Sequence, residues 1–222
     1  ANLGNDRVLQ QWYAMNQAGS VKALQTSVQS LQGIPWVNTL AADDQGQSLY
    51  MNLSVVPNVS AAKLAQCSDP RAGLQMIVLD GARSACAWDI DPKAAQPGIF
   101  AADQLPQLLR SDYVQHSNDS AWLANPQAPL SGFSPVISQD RIGLGLRARF
   151  ALQRLHSLSN RPINAADLRN MVMDNEVYLA GQVMPDLLEF CANHLATDAQ
   201  TLQPLCDSLK TWDRHANLDS GV

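Results

Sequence analysis

Three consecutive polar residues of different chemistry, Asn118, Asp119 and Ser120, interrupt the stretch from Tyr113 to Phe133. A carboxamide donates and accepts hydrogen bonds, an ionised carboxylate only accepts them, and a hydroxyl does both. At the end of a strand, such a trio forms turns in which the side chains bind nearby backbone groups. Composition alone therefore favours a capping role for Asn118 and leaves open whether its amide also takes part in chemistry.

The rest of the sequence contains no familiar catalytic or cofactor motif. A nucleophile elbow, a P-loop and a dinucleotide fingerprint are all absent, and Gly143 and Gly145 are too few for a phosphate cradle. The four histidines lack metal-ligand spacing, and we interpret each as a surface or packing residue; they are His116, His156, His194 and His215. We therefore expect no cofactor and no metal ion.

The four cysteines fall into two pairs that are close in sequence, Cys67 with Cys86 and Cys191 with Cys206. Neither pair has the C-x-x-C spacing of a structural zinc site. Two local disulfides formed in an oxidising compartment are favoured over four buried thiols. This interpretation places the protein in the periplasm or outside the cell.

Composition and charge exclude several classes of partner. The chain has 222 residues, of which 46% are hydrophobic, as in a globular protein. Its net charge is −5 and it has no cluster of Lys and Arg, which argues against binding nucleic acid or an anionic membrane surface. No apolar run approaches the roughly 20 residues of a spanning helix.

The first half of the chain is predicted to hold two helices and then strands. Apolar spacing predicts a helix over residues 5–18, and Ser20 is placed to cap a second helix that ends at Gly33. Two runs of residues that favour β-strands, one on each side of residues 43–46, predict a hairpin. The residue types at 113–117 predict a further strand.

The second half is predicted to be helical. Asn164 is a helix cap with Asp167 at the capping-box position. Strands followed by helices indicate the α+β class, and without a repeat or a long linker we predict no domain boundary within residues 1–222. The other helices are predicted at about 144–156, at 177–195 with a break near Pro185, and at 199–211.

Segments along nearly the whole chain resemble, in order, the penicillin-amidase family of N-terminal-nucleophile hydrolases. The resemblance is strongest to the branch of acyl-homoserine-lactone acylases and the aculeacin-type lipopeptide acylase. Its most specific element is Asn-Asp-Ser-x-Trp at residues 118–122. The matching segments are QWYAMNQA (11–18), GIPWVNTLAADDQGQSLYMNLSVVPNV (33–59), LDGARSACAW (79–88), DYVQHSNDSAWLANPQAPLSGF (112–133), LRARFALQRL (146–155) and WDRHANLDSGV (212–222).

The resemblance implies a chemical role for Asn118. In this family the hydroxyl of a chain-terminal serine attacks the acyl amide, and the serine's own α-amino group, with an ordinary pKa of about 7.7–8.0, is the base. The attack creates an oxyanion, which a neutral amide can face and a carboxylate cannot. Asp119 and Ser120 would fix the turn that presents Asn118.

The resemblance also implies supporting residues. An arginine in the following helix holds the asparagine amide; Arg147 is the match, with Arg149 as the alternative. Trp12 and Trp36 stand at positions that resemble the wall of the family's acyl pocket. Without the resemblance, the arginines are solvated helix charges and the tryptophans are core residues.

The family pattern implies that other chains complete the enzyme. Ala1 has no nucleophilic side chain, and the matching family segment lies inside the β-chain, after its nucleophile. We therefore expect a segment of a larger β-chain in a processed assembly, with an α-chain and the nucleophile elsewhere. Its strands would form part of an αββα sandwich, and the segment alone would be inert.

The function implied is amide hydrolysis of N-acyl compounds, in the first place N-acyl-homoserine lactones, giving a fatty acid and a free amine. Deacylation of a β-lactam or a lipopeptide is the alternative reaction. The alternative of another class is a secreted, non-catalytic binding protein that has kept the fold.

Overall fold

The structure is a computed structural model, and it describes residues 1–72, 76–159, 161–194 and 199–220. Helices combine with one small sheet, which confirms the α+β class. The chain divides into two compact units, Ala1–Gly143 and Leu144–Val222. The elements are α1 (Val8–Asn16), α2 (Val21–Leu31), β1 (Thr39–Ala42), β2 (Ser48–Met51), α3 (Ala61–Cys67), β3 (Gln107–Arg110), α4 (Leu146–Leu158), α5 (Ala165–Met173), α6 (Tyr178–His194) and α7 (Ala199–Thr211).

The predicted hairpin is confirmed and forms two strands of an antiparallel sheet ordered β1-β2-β3. In its register, Leu40 lies opposite Tyr50. Asp43 closes the turn, because its Oδ1 accepts hydrogen bonds from two backbone N–H groups of the turn. Gly46 supplies the positive φ of 79° that such a turn requires.

The core of the first unit lies between α2 and the central strand β2. Ser20 caps α2 as predicted, since its hydroxyl accepts the Ala23 N–H at 3.1 Å. Leu49, Tyr50 and Met51 of β2 are completely buried. The buried core cluster contains Val21, Val28, Ile34, Leu49, Met51, Leu53, Phe100 and Leu105.

The predicted strand at residues 113–117 is wrong. The third strand is Gln107–Arg110, which pairs with β2 along its full length. Beyond it, the chain leaves the sheet and folds back, because the Gln115 N–H donates to the carbonyl oxygen of Ala124 at 2.9 Å. The segment that carries Asn118 is therefore a closed loop following the sheet.

The second unit contains α4 to α7. The capping box of α5 is confirmed, with Asn164 Oδ1 accepting from the Asp167 N–H and Asp167 Oδ2 accepting from the Asn164 N–H. The predicted break at Pro185 is wrong, since α6 continues through it; position 195 lies outside the described residues.

Both predicted disulfides are confirmed. Cys67 at the end of α3 bonds to Cys86, and Cys191 of α6 bonds to Cys206 of α7, with Cα–Cα distances of 5.6 and 5.8 Å. Such bridges form and persist in oxidising compartments. None of the helices described is both long and apolar enough to cross a membrane.

Candidate active site

Asn118 lies in a tight turn between β3 and a short 3₁₀ turn at Ala121–Leu123. Its φ is 59°, in the left-handed region that asparagine tolerates better than most residues. Its backbone N–H donates to Nδ1 of His116 at 3.1 Å. The residue is exposed, so the turn presents Asn118 at the surface of the first unit.

Ion pairing and a buried amide hold the entry to this segment. The Arg110 guanidinium donates two hydrogen bonds to Asp112, at 2.8 and 2.7 Å, and holds the pKa of that carboxyl well below its usual range. Asn125 is completely buried and donates to the Tyr113 carbonyl oxygen at 2.9 Å. These contacts close the loop at its base and leave the tip around Asn118 to be fixed separately.

Two serine hydroxyls hold the exit from the turn. Ser120 Oγ lies 2.6 Å from Ser138 Oγ and donates to the carbonyl oxygen of Gln139. Ser138 Oγ also accepts the Ala121 N–H at 3.0 Å. One arrangement of hydrogens satisfies all three bonds, with Ser138 donating to Ser120. The predicted turn-fixing role of Ser120 thus has a specific partner.

The same turn buries two polar atoms that find no hydrogen-bond partner within the ranges the structure describes. They are Oδ2 of Asp119 and Nε1 of Trp122. Buried polar atoms in folded proteins are nearly always hydrogen-bonded. These two atoms are therefore the buried polar groups of the turn whose hydrogen bonds the described residues do not supply.

The ring of His116 rests on the sheet. It stacks on Tyr50 with 5.2 Å between ring centroids and 17° between ring planes. Tyr50 is completely buried in β2, burial raises the pKa of its phenol, and the phenol donates to Asn38 Oδ1 at 2.8 Å. His116 thus packs against a completely buried side chain of the central strand.

The two candidate arginines lie near the start of α4, and both are exposed. Arg149 Nε donates to the carbonyl oxygen of Leu144 at 3.0 Å, at the beginning of that helix. Asn118 belongs to the first compact unit and both arginines belong to the second. The contact between Asn118 and Arg147 stays a prediction.

The two candidate pocket tryptophans are not core residues of this chain, since Trp12 is 39% exposed and Trp36 is 77% exposed. They stand on segments that are tied together, because Gln11 Oε1 accepts the Gly33 N–H at 3.0 Å. At Gly33 a Cβ would lie only 2.7 Å from the Arg7 carbonyl oxygen, so this close approach requires glycine. Their role as acyl-pocket walls stays a prediction.

Two open cavities, of about 560 and 460 Å³, are both lined by Trp88. Neither is lined by Asn118, Trp12 or Trp36, so these cavities are not the predicted acyl site. Within the described ranges, no three His, Cys, Asp or Glu side chains come together as metal ligands.

Two residues that shape the Asn118 turn were not singled out from the sequence. The sequence interpretation of His116 as a surface or packing residue does not use its position two residues before Asn118, which is the spacing of an Asx-turn. Ser138 is distant in sequence from Ser120, and no local pattern connects them. The role of His116 could have been predicted from the known pattern of Asx-turns. The role of Ser138 is apparent only in the folded structure.

Similarity to known proteins extends over the whole chain. The family model for penicillin amidase matches residues 1–222. The chain is 69% identical over 222 residues to acyl-homoserine lactone acylase PvdQ of Pseudomonas fluorescens and 54% identical over 222 residues to PvdQ of Pseudomonas putida. It is 37% identical over 236 aligned positions to aculeacin-A acylase of Actinoplanes utahensis. The matches cover 99–100% of this chain but only 28–30% of those relatives' length.

Proposed function

The chain belongs to the penicillin amidase family, and from this premise we propose that it is part of an acylase that hydrolyses the amide bond of N-acyl compounds. N-acyl-homoserine lactones are the proposed substrates, because relatives named acyl-homoserine lactone acylase are 69% and 54% identical to it. The products are a fatty acid and homoserine lactone. Such a reaction would destroy a quorum-sensing signal.

The exposed, left-handed turn at Asn118 is the observation that carries this proposal. A serine hydroxyl adds to the amide carbonyl carbon, its proton passes to the serine's α-amino group, and the carbonyl oxygen becomes an oxyanion. The Asn118 amide donates to that oxyanion, with Arg147 orienting the amide. The α-ammonium then returns this proton to the amide nitrogen as the C–N bond breaks, so the neutral amine leaves and an acyl-enzyme ester remains. Water hydrolyses that ester and releases the fatty acid.

Other segments of the processed protein supply the nucleophile and complete the fold. The chain spans less than a third of the length of the relatives it matches. In the described part of the chain, β1 and β3 each pair on one side only, so their open edges can take further strands of an αββα sandwich.

The proposed location is the periplasm, or the outside of the cell. Two disulfides in the described structure support it, because glutathione and thioredoxin keep most cytosolic thiols reduced. The partners are the α-chain and the nucleophile-bearing segment of the same precursor, together with the small N-acyl substrate.

Replacing Asn118 in the complete assembly tests the proposal. Asn118→Ala should lower kcat on N-octanoyl-homoserine lactone by about 10²–10³-fold, the usual cost of losing one oxyanion donor. Asn118→Asp should be at least as damaging, since it places an acceptor against a developing negative charge. Asn193→Ala, at an exposed position of α6, is the matched control and should keep normal turnover.

Near-normal turnover by Asn118→Ala would remove Asn118 from the catalytic set.

A second candidate reaction is lipopeptide deacylation, which the 37% identity to aculeacin-A acylase supports. Parallel assays with a lipopeptide and with the lactone would decide between the two. N-terminal sequencing of the assembly should find a companion chain that starts with serine; without one, the binding-protein alternative would be favoured.

A further inference from the structure

The Asn118 turn depends on a contact that the sequence motif does not contain. The Asn118 backbone N–H donates to Nδ1 of His116, two residues earlier, at 3.1 Å. In an Asx-turn, the Oδ1 of an asparagine or aspartate accepts the N–H two residues on. Histidine Nδ1 is bonded to Cγ in the same way as asparagine Oδ1, so His116 forms the equivalent turn with a ring nitrogen.

This bond sets a condition on the imidazole. Nδ1 accepts the Asn118 N–H through its lone pair, so the bond requires an Nδ1 that carries no proton. The bond holds Asn118 at a φ of 59°, in a region that most side chains avoid. Removing this bond should make that conformation less favourable.

The imidazole is itself fixed to the sheet. Its stack on Tyr50, at 5.2 Å and 17°, places it against a completely buried side chain of β2. Tyr50 is held in turn by the hydrogen bond from its phenol to Asn38. The ring thus connects the Asn118 backbone to the central strand β2, so the position of Asn118 does not depend only on the surrounding loop.

We propose that His116 is a positioning residue, which fixes the backbone of Asn118 so that its amide meets the oxyanion. The proposal rests on the catalytic role of Asn118 given above. His116 need not touch the substrate. Its effect should therefore fall on the chemical step, where a misplacement of about 1 Å can cost roughly 10²-fold, and not on substrate binding.

Two substitutions separate the hydrogen bond from the stack. His116→Phe keeps an aromatic ring on Tyr50 but removes the acceptor, whereas His116→Asn removes the ring but keeps an acceptor on Cγ. In the complete assembly with N-octanoyl-homoserine lactone, His116→Phe should lower kcat by about 10- to 100-fold with KM within about twofold. His116→Asn should restore kcat to within about threefold of the wild type. His156→Phe, at an exposed position of α4, is the matched control.

Amide hydrogen exchange at Asn118, measured by mass spectrometry with residue-level fragmentation, gives a second readout that does not depend on activity. Exchange should be faster in His116→Phe and unchanged in His116→Asn. Equal kcat in wild type and His116→Phe would overturn the positioning role, and equal loss in both variants would overturn its assignment to the hydrogen bond. If Asn118→Ala is impaired while His116→Phe is normal, only this inference fails; if Asn118→Ala is normal, the catalytic role of Asn118 fails with it.

Discussion

At the scale of single residues, the proposed role of Trp36 depends on the large exposed fraction of its side chain. A tryptophan that is 77% exposed leaves most of a large apolar ring for another group to cover. In the proposed enzyme, that group is the acyl chain of the substrate. Each methylene moved from water into an apolar pocket contributes about 0.8 kcal/mol, or up to roughly fourfold in binding.

The acyl-chain preference of the assembly should therefore depend on Trp36. Wild type should favour octanoyl over butanoyl by up to about two orders of magnitude in kcat/KM, because roughly four more methylenes are buried. Trp36→Ala should penalise long chains more than short ones and flatten this profile. The measurement is kcat/KM for homoserine lactones with about four to twelve acyl carbons.

A tryptophan elsewhere in the first unit serves as the control. Trp88, which is 40% exposed, lines cavities that do not include Trp36, so Trp88→Ala should leave the slope of the profile unchanged. A flat profile in the wild type, or the same loss by Trp36→Ala at every chain length, would mean that the acyl pocket lies elsewhere.

At the scale of elements, Asp167 in the capping box should make the stability of α5 depend on pH. The Arg161 guanidinium, together with the Asn164 N–H, lowers the pKa of Asp167 to about 2. An unfolded aspartate has a pKa of about 3.9, so the stabilisation is present above about pH 4 and disappears as the pH falls towards 2.

Asp167→Asn should therefore lower the melting temperature at pH 7 and have progressively less effect between pH 4 and pH 2, where the wild type loses the same charge. Thermal unfolding followed by circular dichroism across this range is the measurement. Asp186→Asn removes an exposed charge from α6 and should change stability little. A difference between wild type and Asp167→Asn that stays constant down to pH 2 would show that the carboxylate is not what stabilises α5.

Elements whose ends depend on neighbouring residues could be predicted from the sequence. Elements whose position depends on pairing between residues distant in sequence could not. The cap of α2 and the capping box of α5 each depend on residues three positions apart, and both were predicted from sequence. The third strand was misplaced because its position depends on which residues pair with β2, and Gln107–Arg110 do so rather than residues 113–117. The candidate site shows the same difference. The Asn118 turn is formed by neighbouring residues, whereas its anchor at Ser138 is distant in sequence and could not be predicted.

At the scale of the whole molecule, the sheet has two outer strands to which further strands could be added. In the ranges described, β1 and β3 are the outer strands, and each exposes backbone groups on its unpaired side. Leu40 of β1 and Leu109 of β3 are 46% and 41% exposed, so each outer strand also presents apolar surface that a neighbouring segment could cover. Both features are expected if the three strands continue into a larger sandwich.

The last prediction compares this chain alone with the complete assembly. The chain alone should give no turnover of any acyl-homoserine lactone, because the proposed nucleophile lies on another segment. Added strands would pair with the open edges, so amide exchange at Thr39–Ala42 and Gln107–Arg110 should slow in the assembly. Exchange at β2, which is already paired on both sides, is the internal reference and should change least. Equal exchange at the outer strands in both samples would contradict the larger sheet, and turnover by the chain alone would contradict a nucleophile supplied from elsewhere.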